Sequence, residues 1–302
     1  MNIDLNIISH VALDDKAFYS EQTSRKVSSD LGGPISFATM IIPLINKKIV
    51  GITSFGKDFP KEHLQYLNSI ENFQLKFFHS DETTKFLHEI YEEKRKLYLL
   101  SKAQKLDDFM QSQEGGKSCL LSPVFHEISE SSIKWAIENH EIVGVDIQGF
   151  IRKIDSEKEI SLSFDRKFIS WLIQSVDIVK FSFNEAAKFT KKDSLKEIMS
   201  LLPQNNIQIV TMSEKGLAFS KNGRYFHMAA PVVKKKDPTG AGDVFMTYLL
   251  SKMDFQEDIE YLVAYGMALA AEKVKYQKIG ALPAQKYEKI TEEIMQTKKE
   301  IL

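Results

Sequence analysis

A single cysteine, Cys119, stands in 302 residues, so no disulfide can form within the chain, and its place in the apolar run SCLLS makes it a reduced, buried thiol. Glycine (14) and proline (8) are too sparse for a collagen-like, low-complexity or broadly disordered polypeptide. No apolar run approaches the roughly 20 residues that span a bilayer. The opening MNIDLNIISH has neither the basic start nor the apolar stretch of a secretory signal, so the expected compartment is the cytoplasm. Neither sign of charge dominates. Forty Lys plus Arg against 41 Asp plus Glu leave a formal charge of -1, and no global field draws the chain to nucleic acid or an anionic membrane. A small molecule is the expected partner. The chain also has no GxxxxGK[ST] phosphate loop, no HRD or DFG, no GxSxG elbow, and no HExxH spacing among its seven histidines. P-loop, protein-kinase, serine-hydrolase and catalytic-zinc chemistries are thereby set aside.

What is present is core: 43% hydrophobic residues, in a length that suits one large α/β domain. Short apolar runs alternate with longer helical patterns, as in LNIISHV, PISFATMIIPLI and KIVGITSF, then PKEHLQYLNSI. CLLS (119–122), EIVGVDI (141–147), VDIVKFS (176–182) and IQIVTM (207–212) are almost uniformly apolar, as strands covered on both faces must be. The pattern predicts βαβ units around a predominantly parallel sheet, in a single domain over 1–302. Two stretches, about 12–31 and 83–104, partly alternate polar with apolar residues, which predicts antiparallel strands outside that sheet. Such strands can form a lid over a cleft or pair with a second subunit. Asn222-Gly223 between strand-like runs predicts a hairpin. After residue 240 the chain is helical, with Pro283 near the start of the last helix.

The chemistry concentrates in KKKDPTGAGDVFMTYLL (234–250), where a glycine-rich turn runs into an apolar-periodic helix. Gly240, Ala241 and Gly242 leave their amides open to an anion, and amides at a helix start stabilise charge that develops during transfer. Asp243 follows in the first turn. A carboxylate beside an anion site suits a general base that activates a hydroxyl; an aspartate that merely favours the helix dipole is an equal reading of the spacing. Upstream, Gly32 and Gly33 precede Pro34 and an apolar helix, and Asp14 follows the first strand pattern in SHVALDD. A carboxylate such as Asp14 accepts from two vicinal hydroxyls at once. The strand EIVGVDIQGFIRK brings Asp146, Gln148 and Arg152 to one strand end.

DPTGAGDVF resembles the C-terminal signature of the ribokinase-like (PfkB) family of sugar and nucleoside kinases. Gly32-Gly33-Pro34 is similar to the family's double-glycine signature, with GITSFGKDFP after it, so that the matches run in order along nearly the whole chain. The resemblance implies a three-layer α/β/α fold with a small β lid. It also implies an ATP-dependent phosphotransferase whose general base is Asp243, with Asp14, Gly32, Gly33, Gln148 and Arg152 on the acceptor. The Asn-x-x-Glu motif can be laid on VKFSFNEAAKFT in two registers. Asn184 as anchor puts Ala187 at the acidic place, whereas Ser182 as anchor puts Glu185 there, and the second register is preferred. Glu185 would then organise water around Mg2+. Ser182, Thr211, Ser213 and Gly216, with Gly240 and Gly242, are implied on the nucleotide; Ser213 stands where the family usually has glycine. Asp237 resembles an aspartate that contributes to a monovalent-cation site, which implies K+. The run Lys234–Lys236 adds positive potential near phosphates. The Asp-x-Gln-Gly-Phe string resembles that of a subgroup of prokaryotic PfkB kinases, and the SHVALD start with the lid-like TTKFLHEIYEEKRKLYLL resembles the archaeal and plant myo-inositol kinase branch, which implies a polyol acceptor of that type, although Ala12 replaces the asparagine of ribokinase-like members. The alternatives are a nucleoside kinase of the same fold and a catalytically weak sugar- or nucleotide-binding regulator. A homodimer through the lid is a further expectation.

Overall fold

The computed structural model describes residues 3–19, 24–91, 94–203, 206–254 and 258–301, with the side chains of 24–29 and 94 outside that description. Its strands are β1 (Leu5–Ile8), β2 (Ala12–Tyr19), β3 (Ser24–Gly32), β4 (Ile49–Phe55), β5 (Phe73–His79), β6 (Thr84–Tyr91), β7 (Lys94–Ser101) and β8 (Gly116–Leu121). They continue with β9 (His140–Asp146), β10 (Arg152–Ile154), β11 (Ile160–Leu162), β12 (Ile178–Ser182), β13 (Ile207–Thr211), β14 (Leu217–Lys221), β15 (Arg224–Met228) and β16 (Lys299–Glu300). Ten strands form the main sheet in the order β16-β15-β14-β13-β12-β9-β8-β1-β4-β5. From β13 to β5 every pairing is parallel. The β14, β15 and β16 edge is antiparallel.

Parallel strands must be covered on both faces, and β1 and β4 are buried at every residue. One face packs Leu5, Ile7 and Leu120 against the helices Ala241–Lys252 and Ile259–Lys273. The other packs Ile8, Cys119 and Leu121 against Glu130–Asn139 and Arg166–Ser175. Helix, sheet and helix thus form the three expected layers. Burial pushes the Cys119 thiol up, so it behaves as a small hydrophobe.

The two alternating stretches meet in one four-stranded sheet of order β3-β2-β6-β7, with residues 20–23 and 92–93 outside the description. Within each stretch the pairing is antiparallel, as expected. Between them it is parallel, β2 on β6, because each stretch enters the small sheet from the same end of the main one. Asp14 accordingly lies inside β2 rather than at the end of a core strand. Two further expectations shift. PISFATMIIPLI breaks into Pro34–Ala38 and Ile42–Ile45, since Pro43 has no amide hydrogen to continue one helix. The last helix begins at Glu288, so Pro283 lies in the preceding coil, where its carbonyl accepts from Tyr287 Oη at 3.0 Å.

The Asn222-Gly223 turn forms as expected, with φ of 52° and 73°. Gly240 is also left-handed, at φ 81°, but a Cβ there would lie 2.2 Å from the Phe37 ring, whereas a Cβ on Gly223 meets nothing within 4 Å. In urea titrations Gly223→Ala is expected to cost about 1 kcal/mol for its backbone alone. Gly240→Ala should cost a further 1–3 kcal/mol, roughly, for overpacking against a buried ring. Equal losses would show that Phe37 does not constrain the turn.

Candidate active site

β9 and β12 are neighbours in the sheet, and their register sets Asp146 opposite Lys180. The two side chains pair across the strands, Lys180 Nζ donating to Asp146 Oδ2 at 2.5 Å, with only 9% and 4% of the side chains exposed. Lys180 is the one charge in the run IVKFS, and it points under the start of helix Ala241–Lys252. A Cβ on Gly242 would lie 3.0 Å from Lys180 Nζ, so the glycine is what lets an ammonium sit against the turn. Asp243, one residue on, is half-buried in the first turn of that helix. Burial of its carboxylate, with the negative charge of Asp146, outweighs Lys180, Arg152 and Lys273 and pushes it up to about 7. A carboxylate held there is ready to accept a proton at neutral pH.

Ser182 caps helix Phe183–Thr190 in a capping box: its hydroxyl accepts from Glu185 N–H at 3.3 Å, and Glu185 Oε2 accepts from Ser182 N–H at 2.7 Å. Glu185 is buried while Asn184 is exposed. Burial pushes Glu185 up, against the pull of Lys180. No three His, Cys, Asp or Glu side chains among the described residues cluster as a direct metal site. Asp146, Glu185 and Asp243 nonetheless surround Lys180 with carboxylates. That donor set fits Mg2+ carried chiefly by phosphate oxygens and water, with Glu185 oriented by its cap.

A cavity of about 400 Å³ opens beside Lys180 and Gly242, at the carboxyl ends of β12 and β13. Thr211, Ser213 and Gly216 line one side; Val233, Ala271 and Val274 make an apolar wall on the other. Lys235 reaches this rim. Thr211 Oγ1 donates to Phe181 O at 3.3 Å. Ser213 has φ 52°, which explains why glycine is the ordinary residue at such a position.

Asp14 lies under the small sheet, its Oδ1 3.0 Å from His88 Nε2, both side chains under one tenth exposed. A Cβ on Gly32 would stand 2.3 Å from Asp14 Oδ2, so that position must be glycine for the carboxylate to fit. Gly33 follows as the N-cap before Pro34. Gln148 sits half-buried in the turn Ile147–Phe150, its N–H donating to Asp146 Oδ1 at 3.2 Å. Arg152 Nη1 donates to Val124 O at 2.8 Å and lies over the Phe86 ring. Burial presses its pKa down, while the charges of Glu185, Asp146, Glu127 and Asp14 oppose that pressure.

The small sheet is fastened to the 237–239 segment by Lys16 on Asp237 and by Arg95 Nη1 donating to Thr239 Oγ1 at 3.2 Å. The monovalent cation implied for Asp237 does not fit. Asp237 Oδ2 accepts from Lys16 Nζ at 2.9 Å, Oδ1 from Thr239 N–H at 2.9 Å, and its carbonyl from Lys273 Nζ at 3.1 Å. Burial raises this carboxyl, but the bonds from Thr239 and Lys16 prevail and hold it at about 2.

Lys180, Lys273, Lys16 and His88 were not legible as site residues from motif matching. A lone charge inside an apolar run was the available signal for Lys180, since burial demands a partner. For His88 it was the alternation of β6, which puts Thr84, Phe86 and His88 on one buried face.

A model of the pfkB family of carbohydrate kinases matches residues 24–285. The cytidine kinase of Thermococcus kodakarensis is 27% identical over 285 residues, 90% of this chain and 96% of that protein. Among solved structures, a pyrophosphate-dependent kinase of the ribokinase family, complexed with a pyrophosphate analog and myo-inositol, superposes with a TM-score of 0.75 at 19% identity, covering 96% of this chain and 100% of that one. The nucleoside kinase of Methanocaldococcus jannaschii gives 0.71 at 17%, over 98% and 99%. No described helix is long and apolar enough to cross a membrane.

Because the folded-state pKa of Asp243 lies near 7 against 3.8 ordinarily, the native state holds this proton more tightly than the unfolded chain. Stability from this group is therefore present at low pH and is lost as pH rises from about 4 to about 7. Asp243→Asn should melt above the wild type at about pH 8, by a margin that shrinks on acidification; a margin independent of pH would contradict the shift.

Proposed function

The chain belongs to the pfkB family of carbohydrate kinases, and from that membership we propose that it transfers the γ-phosphoryl group of ATP to a ribose hydroxyl of a nucleoside, with Asp243 as general base. Kinase activity on hydroxyl acceptors is the family's chemistry. The observation that carries the residue assignment is the carboxylate of Asp243, desolvated to about 7 at the first turn of a helix whose glycine turn faces an open cavity.

In this reading the donor's base rests on the apolar wall of Val233, Ala271 and Val274, and its phosphates extend past Thr211 and Ser213 to Gly240, Ala241 and Gly242. An apolar wall favours a donor that carries a base over pyrophosphate, which has no group to place there. The turn amides and Lys180 stabilise the charge on the phosphoryl group in flight. Glu185 would hold a hydrated Mg2+, which would neutralise charge on the phosphate oxygens. Asp14 accepts from the vicinal hydroxyls, with Gly32 and Gly33 allowing close approach, while Gln148 and Arg152 border the sugar. Asp243 takes the proton of the attacking hydroxyl. The small sheet, fastened by Lys16 and Arg95, closes the cleft against water that would otherwise be phosphorylated.

A nucleoside is favoured over a polyol by one observation: a relative matched over nearly its full length is a cytidine kinase. Phe18, Tyr91 and Leu100 are exposed on the small sheet, which makes it the surface through which a second copy would pair.

ATP consumption with mass analysis of products, run with cytidine, guanosine, adenosine, ribose, fructose and myo-inositol, tests the reading. A nucleoside monophosphate is expected. An inositol or simple sugar phosphate would instead assign a polyol or sugar kinase, and ATP binding without any product would assign a regulator. Asp243→Asn should lower turnover by about 10²–10⁴-fold while nucleotide binding persists, because only the proton acceptor is lost. Near-normal turnover in that variant would refute the base assignment.

A further inference from the structure

We infer that the chain carries its own cations at Asp237, the ammonium groups of Lys273 and Lys16, in place of a monovalent metal ion. The inference rests on the reading of residues 237–243 as the phosphoryl-transfer loop.

Lys273 ends helix Ile259–Lys273 and is 1% exposed, a placement long lysines avoid unless the ammonium is well held. Its Nζ donates to the Asp237 carbonyl at 3.1 Å and lies 5.0 Å from the centroid of the Phe37 ring, the ring that packs on Gly240. The charge of Asp243 is near enough to favour its protonated form. Burial presses the Lys273 pKa down, while Asp237 and Asp243 oppose that pressure. Lys16 arrives from the other side, on β2, two residues after Asp14. Its Nζ donates to Asp237 Oδ2 at 2.9 Å and is 3.7 Å from Asp30 Oδ2. Thus the carbonyl and the carboxylate of one residue each bind an ammonium, one from a helix of the main body and one from the small sheet.

An ammonium is a compact cation with three donors, so it can bind carbonyl and carboxylate oxygens much as a desolvated alkali ion does. It differs in being tethered. The ordering of the 237–240 segment, and with it the left-handed turn at Gly240, then needs no dissolved ion. A further cation at the same oxygens would meet Lys16, Lys273 and the nearby Arg95 at once, all repelling it. Lys273 and Lys16 are positioning residues: they fix the backbone whose amides face the phosphate. Because Lys16 shares β2 with Asp14, one of the two cations comes into place with the strand that holds the acceptor.

Ion binding tests this without turnover. In equilibrium dialysis with radioactive rubidium, choline chloride as background salt and MgATP present, the wild type should bind no rubidium above the background of Asp237→Asn. Lys273→Met and Lys16→Met should each gain one rubidium per chain. Stoichiometric rubidium on the wild type, abolished by Asp237→Asn, would overturn the inference. So would folded lysine variants that bind none; if Lys273→Met does not fold, Lys16→Met decides alone. With the acceptor from the product panel, wild-type turnover should be the same in potassium and choline. Lys273→Met should lose about tenfold in choline, the scale of a lost charged hydrogen bond, and recover in potassium or ammonium. Recovery by the ion distinguishes a cation's role from mere loss of packing. A failed kinase panel with the expected rubidium result would overturn the functional reading and leave this one standing.

Discussion

The buried pair of Asp146 and Lys180 is the constraint from which the site follows. Two charges withdrawn from water cost several kcal/mol each before their attraction is counted, so the pair persists only where sheet register holds the partners together. Adjacent parallel strands do that, residue opposite residue. Once Lys180 is fixed, helix Ala241–Lys252 can approach this closely only with glycine at 242, and Asp243 is carried into the same field. Its neighbour Asp146 repels its charge while Lys180 tempers that repulsion. A base of intermediate strength is thus made from three residues of strand ends and one turn, with no unusual backbone beyond Gly240.

The small sheet divides its inner face by chemistry. Toward the 237–239 segment it presents Asp14, Lys16, His88 and Arg95; toward residues 124–125 it presents Ala12, Phe86 and Leu99. The first half latches on the 237–239 segment, and the second anchors the sheet to the main body through a satellite core. Arg152 sits between the halves, over Phe86 and within the field of Asp14.

Much of this was legible in the amino-acid order. Uniformly apolar runs specify a covered parallel sheet, Asn222-Gly223 a hairpin, and GAGD before an apolar run a glycine turn that opens a helix. Partner choice was less legible. Alternation in 12–31 and 83–104 shows two hairpin-like segments, but nothing local says that β2 and β6 run parallel, since that depends on where each leaves the main sheet. Pro283 marks a possible helix start by its fixed φ, yet the helix waits for Glu288 because residues before it pack as coil. Ser182 and Glu185 read as a departure from a metal-side motif, and their structure is a capping box, in which serine is a good N-cap. Lys180, in an apolar run, and Lys273, beside Glu272 at a helix end, escaped because neither belongs to a motif; only the distant partners, Asp146 and Asp237, give them meaning.

The central claim is that burial raises the proton affinity of Asp243 and the Asp146–Lys180 pair tunes it, and NMR titration of the Asp243 carboxyl, assigned by its loss in Asp243→Asn, tests it most directly. The account predicts a midpoint near 7 in the wild type and a higher one in Lys180→Met, where the tempering charge is gone. A midpoint near the ordinary 3.8, or one that Lys180→Met leaves unchanged, would contradict it.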